Sequence, residues 1–130
     1  MEINSKPTFY WGVSLMLLAI SFGAMGAHLL EKVLDVTAMK SFQTAINYAI
    51  YQGLAFLILS LLNPISIRKP VLFMKIGISC FSGSILMLVF MKHLGIGIPK
   101  LLVLITPLGG VLLIMGWLTM FFVSITKNKV

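Results

Sequence analysis

Four apolar runs alternate along the chain with short polar stretches that carry most of its cations. The runs cover residues 9–27, 43–62, 71–91 and 101–124. Each approaches the ~20 apolar residues, rising about 1.5 Å apiece, that a helix needs to cross a bilayer. The pattern predicts an all-α membrane protein: one domain over residues 1–130, with four transmembrane helices in a bundle. Between the first two runs, Leu30, Leu34, Ala38 and Phe42 fall on one face among Glu31, Lys32, Asp35 and Lys40. That spacing fits a short amphipathic helix at the membrane interface, the expected architecture, or a water-exposed extension of the second span. Residues 63–70, NPISIRKP, hold two prolines and two adjacent cations and predict a loop. A second loop is expected over residues 92–100, with His93, Gly95, Gly97 and Pro99. Pro107 falls inside the fourth run and predicts a kink or broken first turn, with Thr106 satisfying a freed backbone group. Ala24-Met25-Gly26 loosely fits a signal cleavage site, but the length of the first run favours a retained span.

The second run is the unusual one. From Lys40 to Leu62 it reads KSFQTAINYAIYQGLAFLILSLL. Ala45, Ala49 and Gly53 recur every four residues as a smooth stripe, beside the rows Gln43/Asn47/Tyr51 and Thr44/Tyr48/Gln52. Unsatisfied amides in hydrocarbon cost several kcal/mol, so this helix is expected inside the bundle. Ala19, Gly23 and Ala27 repeat at the same spacing on the first span and are expected to face that stripe. Gly109, Gly110 and Gly116 make a further close-packing face on the fourth, with Trp117 on the same side. Ser82-Gly83-Ser84 reads more simply as a packed helix face than as a nucleophile.

Composition sharpens the class. Of 130 residues 59% are hydrophobic and 10% charged, against about 25% charged in a soluble domain. The net charge of +7 comes from cations between or beside the apolar runs. It therefore points to positive-inside anchoring and anionic headgroups rather than to nucleic acid. Membrane lipids are the expected partners, with another membrane protein or a second copy of the chain as the further class. The one cysteine, Cys80, excludes an intramolecular disulfide and a cysteine-based metal cluster. An even number of spans puts Lys6, Arg68, Lys69, Lys75, Lys127 and Lys129 on one side, against Lys32, Lys40, Lys92 and Lys100 on the other. Six against four places both termini in the cytoplasm.

Threaded through that topology, the unusual polar residues fall in one layer: His28, Asn47, Tyr48, Tyr51, Gln52, Ser82, Ser84 and Thr106. The functional reading is a polar pocket open to the outer face or leaflet. The plainer one is interhelical hydrogen bonding, worth about 0.6 kcal/mol per contact. No metal or cofactor is expected, because two histidines stand without a carboxylate or thiolate at ligand spacing. No nucleophile elbow, phosphate loop or carboxylate pair is present. No acid lies within a span, which argues against a proton-coupled exporter, and no repeat suggests an inverted-repeat transporter.

Several strings together resemble a known family. They are Gly23-Ala24-Met25-Gly26-Ala27-His28, then Phe42-Gln43-Thr44-Ala45 through Tyr48, Tyr51 and Leu54. Phe81-Ser82-Gly83-Ser84, Ile105-Thr106-Pro107-Leu108-Gly109-Gly110 and Gly116-Trp117 complete the series. All come in the order of the YgdD/YwdK-like family of small bacterial inner-membrane proteins, which has mitochondrial relatives. The resemblance spans nearly the whole chain. It implies a four-span protein of the bacterial plasma membrane and no activity, since the family is a domain of unknown function. The family often has a histidine where this chain has Gln52, so a titratable imidazole has no role there. The expected function is thus non-enzymatic, either structural or accessory or the binding of a lipidic ligand. The alternative is a small permease or exporter using the outer polar pocket.

Overall fold

The fold, taken from a computed structural model, is described for residues 2–62 and 64–127. Four helices account for most of it: α1 (Lys6–His28), α2 (Val36–Leu59), α3 (Pro64–His93) and α4 (Lys100–Lys127). All four contain stretches long and apolar enough to cross a membrane. They run alternately up and down. The Ser5 amide donates to the Ser60 carbonyl at 2.9 Å, so α1 starts beside the end of α2. Lys92 pairs with Asp35 at 2.9 Å, so α3 ends beside the start of α2. Ser84 meets Thr106 at 2.6 Å and Met74 meets Gly116, so α4 runs antiparallel to α3. We call the end that holds the starts of α1 and α3 the near end, and the Asp35–Lys92 end the far end.

Extensive contacts join α1 to α2, α2 to α3 and, most of all, α3 to α4. One core of Phe56, Ile67, Val71, Met74, Ile78 and Leu113 fills the near half, and a second, of Ala19, Phe42, Ile46, Ala49 and Val89, fills the far half. α2 is the most enclosed helix: 44% of its most apolar stretch is buried, against 11% for α1 and 17% for α4. The outward faces of α1 and α4, with Leu17, Ile20, Leu108 and Phe122, are exposed apolar surface that suits lipid.

The separate interfacial helix is a correction. Residues Leu30–Lys32 form a short 3₁₀ turn, and α2 begins at Val36. Asp35 starts it there, because its extended backbone and carboxylate cap the first turn, accepting from the Ala38 amide at 2.8 Å. Ala38 and Phe42 are then buried in the far core rather than laid on a membrane surface. The proline-bearing loop also shortens. Asn63 lies outside the described residues, and α3 takes in Pro64 and Pro70. Proline suits the first helical position, where its missing donor costs nothing. Pro70 withdraws a helix donor, but it is fully buried beside Gly116 of α4. α4 likewise includes Pro107, and the Thr106 hydroxyl meets Ser84 across the interface instead of mending its own backbone.

The small-residue seams differ from the expected rows. On α1 the buried small positions are Gly12, Ala19 and Gly26, seven residues apart, while Ala27 is exposed and Gly23 only half-buried. A side-chain carbon on Gly12 would stand 2.9 Å from the Gly53 carbonyl oxygen, and one on Gly26 would strike the Phe42 ring. The Ala45/Ala49/Gly53 stripe divides: Ala45 receives a hydrogen bond from α3, and Gly53 faces Gly12 and Met16 of α1. On α4, Gly109 and Gly116 sit in the α3 seam against Phe81 and Met74, while Gly110 flanks it, where an added side-chain carbon would stand 3.7 Å from the Phe81 ring.

Candidate functional site

The polar residues expected in one layer fall into separate places. Ser82 is buried and donates its hydroxyl to the Ala45 carbonyl at 2.8 Å, tying α3 to α2. Ser84 is also buried; it donates to the Phe81 carbonyl at 3.1 Å, which leaves Thr106 as the donor across to it. These are interhelical and local bonds between protein groups. Gly83, between the two serines, has open space around it, so this tripeptide is not a close-packed face throughout.

His28, Asn47 and Tyr51 are exposed. His28 lies just beyond Gly26, which faces Phe42, and Phe42 is about 15 Å of helix from Gln52. Asn47 and Tyr51 share the outward face of α2 with Leu54 and Ile58. Among the described residues, no side-chain hydrogen bond links His28, Asn47, Tyr48 or Gln52 into one cluster, and no group of three His, Cys, Asp or Glu side chains could hold a metal ion. The helix pitch explains the dispersal. Residues four apart turn about 40° from a straight row, so a polar row winds from one neighbour to lipid within two turns.

Tyr48 and Gln52 do come together. They line a groove of about 440 Å³ between α2, α3 and α4, with Phe81, Gly110, Leu113 and Trp117. The Tyr48 and Phe81 rings lie 4.8 Å apart and form one wall. Trp117 is half out of the bundle and forms the opposite side. Gln52 sits midway along the second apolar run and is 5% exposed. Its Oε1 is buried and has no hydrogen-bond partner. The groove is thus an aromatic and aliphatic cleft, facing lipid and lined by Gln52, whose amide oxygen is buried behind the groove surface without a donor. Its volume falls in the range of about 300–1,000 Å³ usual for small-molecule sites.

A larger groove of about 660 Å³ opens at the far end, also between α2, α3 and α4. Thr37, Ser41, Thr44 and Lys92 line it with Thr106 and Pro107. Of these, only Thr106 was among the residues expected from the sequence. The spacing of Thr37, Ser41 and Thr44 along one helix face was a readable signal for the others. Ser41 and Thr44 donate to the carbonyls of Thr37 and Lys40 at 3.1 and 3.0 Å, so their hydrogens are engaged. Lys92 is held by Asp35, whose carboxyl lies below its ordinary value of 3.8, chiefly through the Ala38 amide and then through Lys92.

Comparison with known proteins agrees with this architecture. A family described as "Protein of unknown function (DUF423)" matches residues 22–110. The chain is 33% identical over 112 residues to a "UPF0382 membrane protein" of Staphylococcus epidermidis, covering 84% of this chain and 87% of that protein. It is 34% identical over 118 residues to the "UPF0382 inner membrane protein YgdD" of Escherichia coli, covering 85% and 82%. It is 34% identical over 117 residues to a UPF0382 membrane protein of Schizosaccharomyces pombe, covering 85% and 96%. No solved structure matches it significantly. The chain is an integral membrane protein that belongs to the DUF423 (UPF0382) family.

Proposed function

We propose that this protein is a non-enzymatic membrane protein that holds a lipidic molecule in the groove between α2, α3 and α4. The observation that carries the reading is the Gln52 Oε1, buried at mid-helix without a donor in the wall of a lipid-facing cleft. Leaving such an acceptor unpaired costs about 1–3 kcal/mol. Turning the Gln52 amide so that its oxygen meets the groove would let a membrane-soluble molecule with one hydroxyl or amide hydrogen satisfy it and lay its apolar body between Tyr48, Phe81 and Trp117. The site needs no charge, which suits a ligand arriving from the bilayer.

The test is extraction of the protein purified in mild detergent, with mass spectrometry of what copurifies. The parent should retain a bound lipidic molecule, and Gln52→Leu should lose it. The same variant should keep its thermal stability or gain up to about 1 kcal/mol, because an unpaired polar atom is replaced by an apolar group. Flux of a solute through liposomes holding only this protein would favour the permease alternative instead.

An accessory role has its own support. Gln43, Asn47 and Tyr51 stand exposed in one row on the outward face of α2, where amides in lipid lack partners. A neighbouring membrane helix, from another protein or a second copy, would supply them. A stoichiometric partner lost on Asn47→Leu is the result that favours this role. We further read the near end as cytoplasmic, on the balance of cations between the two ends.

A further inference from the structure

The near ends of α1 and α3 frame a groove of about 420 Å³ that shares no residue with the Gln52 cleft. Ser5, just before α1, and Thr8 of α1 line one side; Arg68, Val71, Leu72 and Lys75 of α3 line the other. The α3 positions fall at i, i+3, i+4 and i+7, one face of the helix, with Arg68 exposed at the mouth and Lys75 about 10 Å deeper. The Lys75 ammonium lies 5.7 Å from the centroid of the Trp11 ring, an arrangement suited to the interfacial belt.

Three features call for an anion with a hydrocarbon tail. First, among the described residues the cations here form no ion pair. Among the described residues the ion pair formed is Lys92–Asp35 at the far end, and Glu31 also lies towards that end. Towards this end, where Lys6, Arg68, Lys69 and Lys75 lie, the acidic side chain among the described residues is the exposed Glu2 near the start of the chain. Second, the Ser5 and Thr8 hydroxyls are 2.9 Å apart, and Thr8 is buried. Two hydroxyls bring two hydrogens, and the bond between them uses one, so one remains for a ligand oxygen. Third, Val71 and Leu72 place apolar surface between the two cations, and Leu72 is exposed. A free phosphate would match the charges and leave that wall unused.

We propose that this groove is a specific site for one anionic phospholipid of the near leaflet. Its phosphate lies between Arg68 and Lys75, a headgroup or glycerol oxygen accepts from the Ser5–Thr8 pair, and an acyl chain runs along Val71 and Leu72. The site is distinct from diffuse attraction to a charged surface, because a cleft, a hydroxyl pair and a stacked lysine converge on it. It does not depend on the Gln52 reading.

Trp11 reports on the site directly. Trp117→Phe leaves it as the sole tryptophan, and the variant is reconstituted in phosphatidylcholine with either phosphatidylglycerol or phosphatidylcholine brominated on its acyl chains. Brominated phosphatidylglycerol should quench Trp11 with an apparent affinity at least about fivefold higher, the expected effect of one cation at an anionic surface. Arg68→Gln with Lys75→Gln should abolish the preference, and Lys69→Gln, a cation at the same end that does not line the groove, should leave it, whereas an equal loss there would assign the preference to diffuse surface charge and overturn the proposal. Arg68→Glu, an exposed single change, tests the same point if the double variant does not fold, and should also remove most of the preference. Equal quenching by the two lipids in the parent would overturn the proposal, as would a preference that survives Arg68→Glu. Loss of the preference on adding inorganic phosphate would reassign the groove as an aqueous anion site.

Discussion

Gly109 leaves no room for a side chain, since a carbon added there would collide with the Phe81 backbone and stand 2.9 Å from the Gly77 carbonyl oxygen. Both neighbours are main chain, so relief requires moving a helix. Gly109→Ala should therefore destabilise the protein by about 1–3 kcal/mol. Gly83, six residues from Gly77 on the same helix, has open space around it. Gly83→Ala should be neutral or stabilise by up to about 1 kcal/mol through helix propensity. Thermal unfolding of the two variants in one detergent checks the pair, and no loss on Gly109→Ala would mean that α3 and α4 are further apart than described. Both glycines look alike in the sequence. What separates them is the backbone of the neighbouring helix, which stands against Gly109 and leaves Gly83 free, and which no local pattern records. Gln52 makes the same point for polarity: its position inside the bundle was legible, but its lack of a donor was not.

At the scale of elements, the seams run on a 3.5-residue repeat. α1 presents Gly12, Ala19 and Gly26, α3 presents Met74, Gly77, Phe81 and Ser84, and α4 presents Thr106, Gly109, Leu113 and Gly116. Two long helices stay in contact only if they coil gently about each other, and that favours sevens over fours. The rows of four read from the sequence therefore hold for Gly53, which faces α1, and for Ala19 and Ala49, which share one core, but not for Ala27, which is exposed, or Ala45, which is bonded from α3. The start of α2 shows a local signal with a clear effect. Asp35 sits at the N-cap with the Ala38 amide and Lys92 both donating to it, and its carboxyl is held below 3.8. A carboxyl with a lowered folded value adds stability above its unfolded value and loses it as pH falls through the folded one. Asp35→Asn should thus lower the midpoint of unfolding by a few degrees at neutral pH. The difference between variant and parent should vanish on acidification below 3.8, the ordinary value. Because the pair is exposed, its Lys92 part should also weaken as salt is added. A difference that is constant with pH would assign the loss to packing.

At the scale of the whole molecule, both described ends of the chain lie at the near end, together with Lys6, Arg68, Lys69 and Lys75. Lys127 closes α4 there, and Lys129 lies outside the described residues. Lys32, Lys40, Lys92 and Lys100 lie towards the far end, beside Glu31 and Asp35. Reporter fusions at Val130 and beside Lys69 should therefore report the cytoplasm, and a fusion at Gly95 the opposite side. The reverse pattern at Val130 would invert the orientation and move the phospholipid groove to the outer leaflet.

The sequence by itself determined the number of spans, the enclosure of α2 and the family. Each of these follows from composition, run length or ordered motifs, quantities that accumulate along one segment. The extension of α2 to Asp35 was among the readings open to it, because a cap and an apolar face are local signals. Tertiary structure alone decided that α3 reaches back through two prolines, that Ala45 and Gly53 serve different neighbours, and that the polar layer separates into bonded serines, an orphaned amide and exposed residues. Those outcomes depend on the rotation of one helix against another. A turn of some tens of degrees carries a side chain from a seam to lipid, and it is fixed by the sum of contacts along the whole interface.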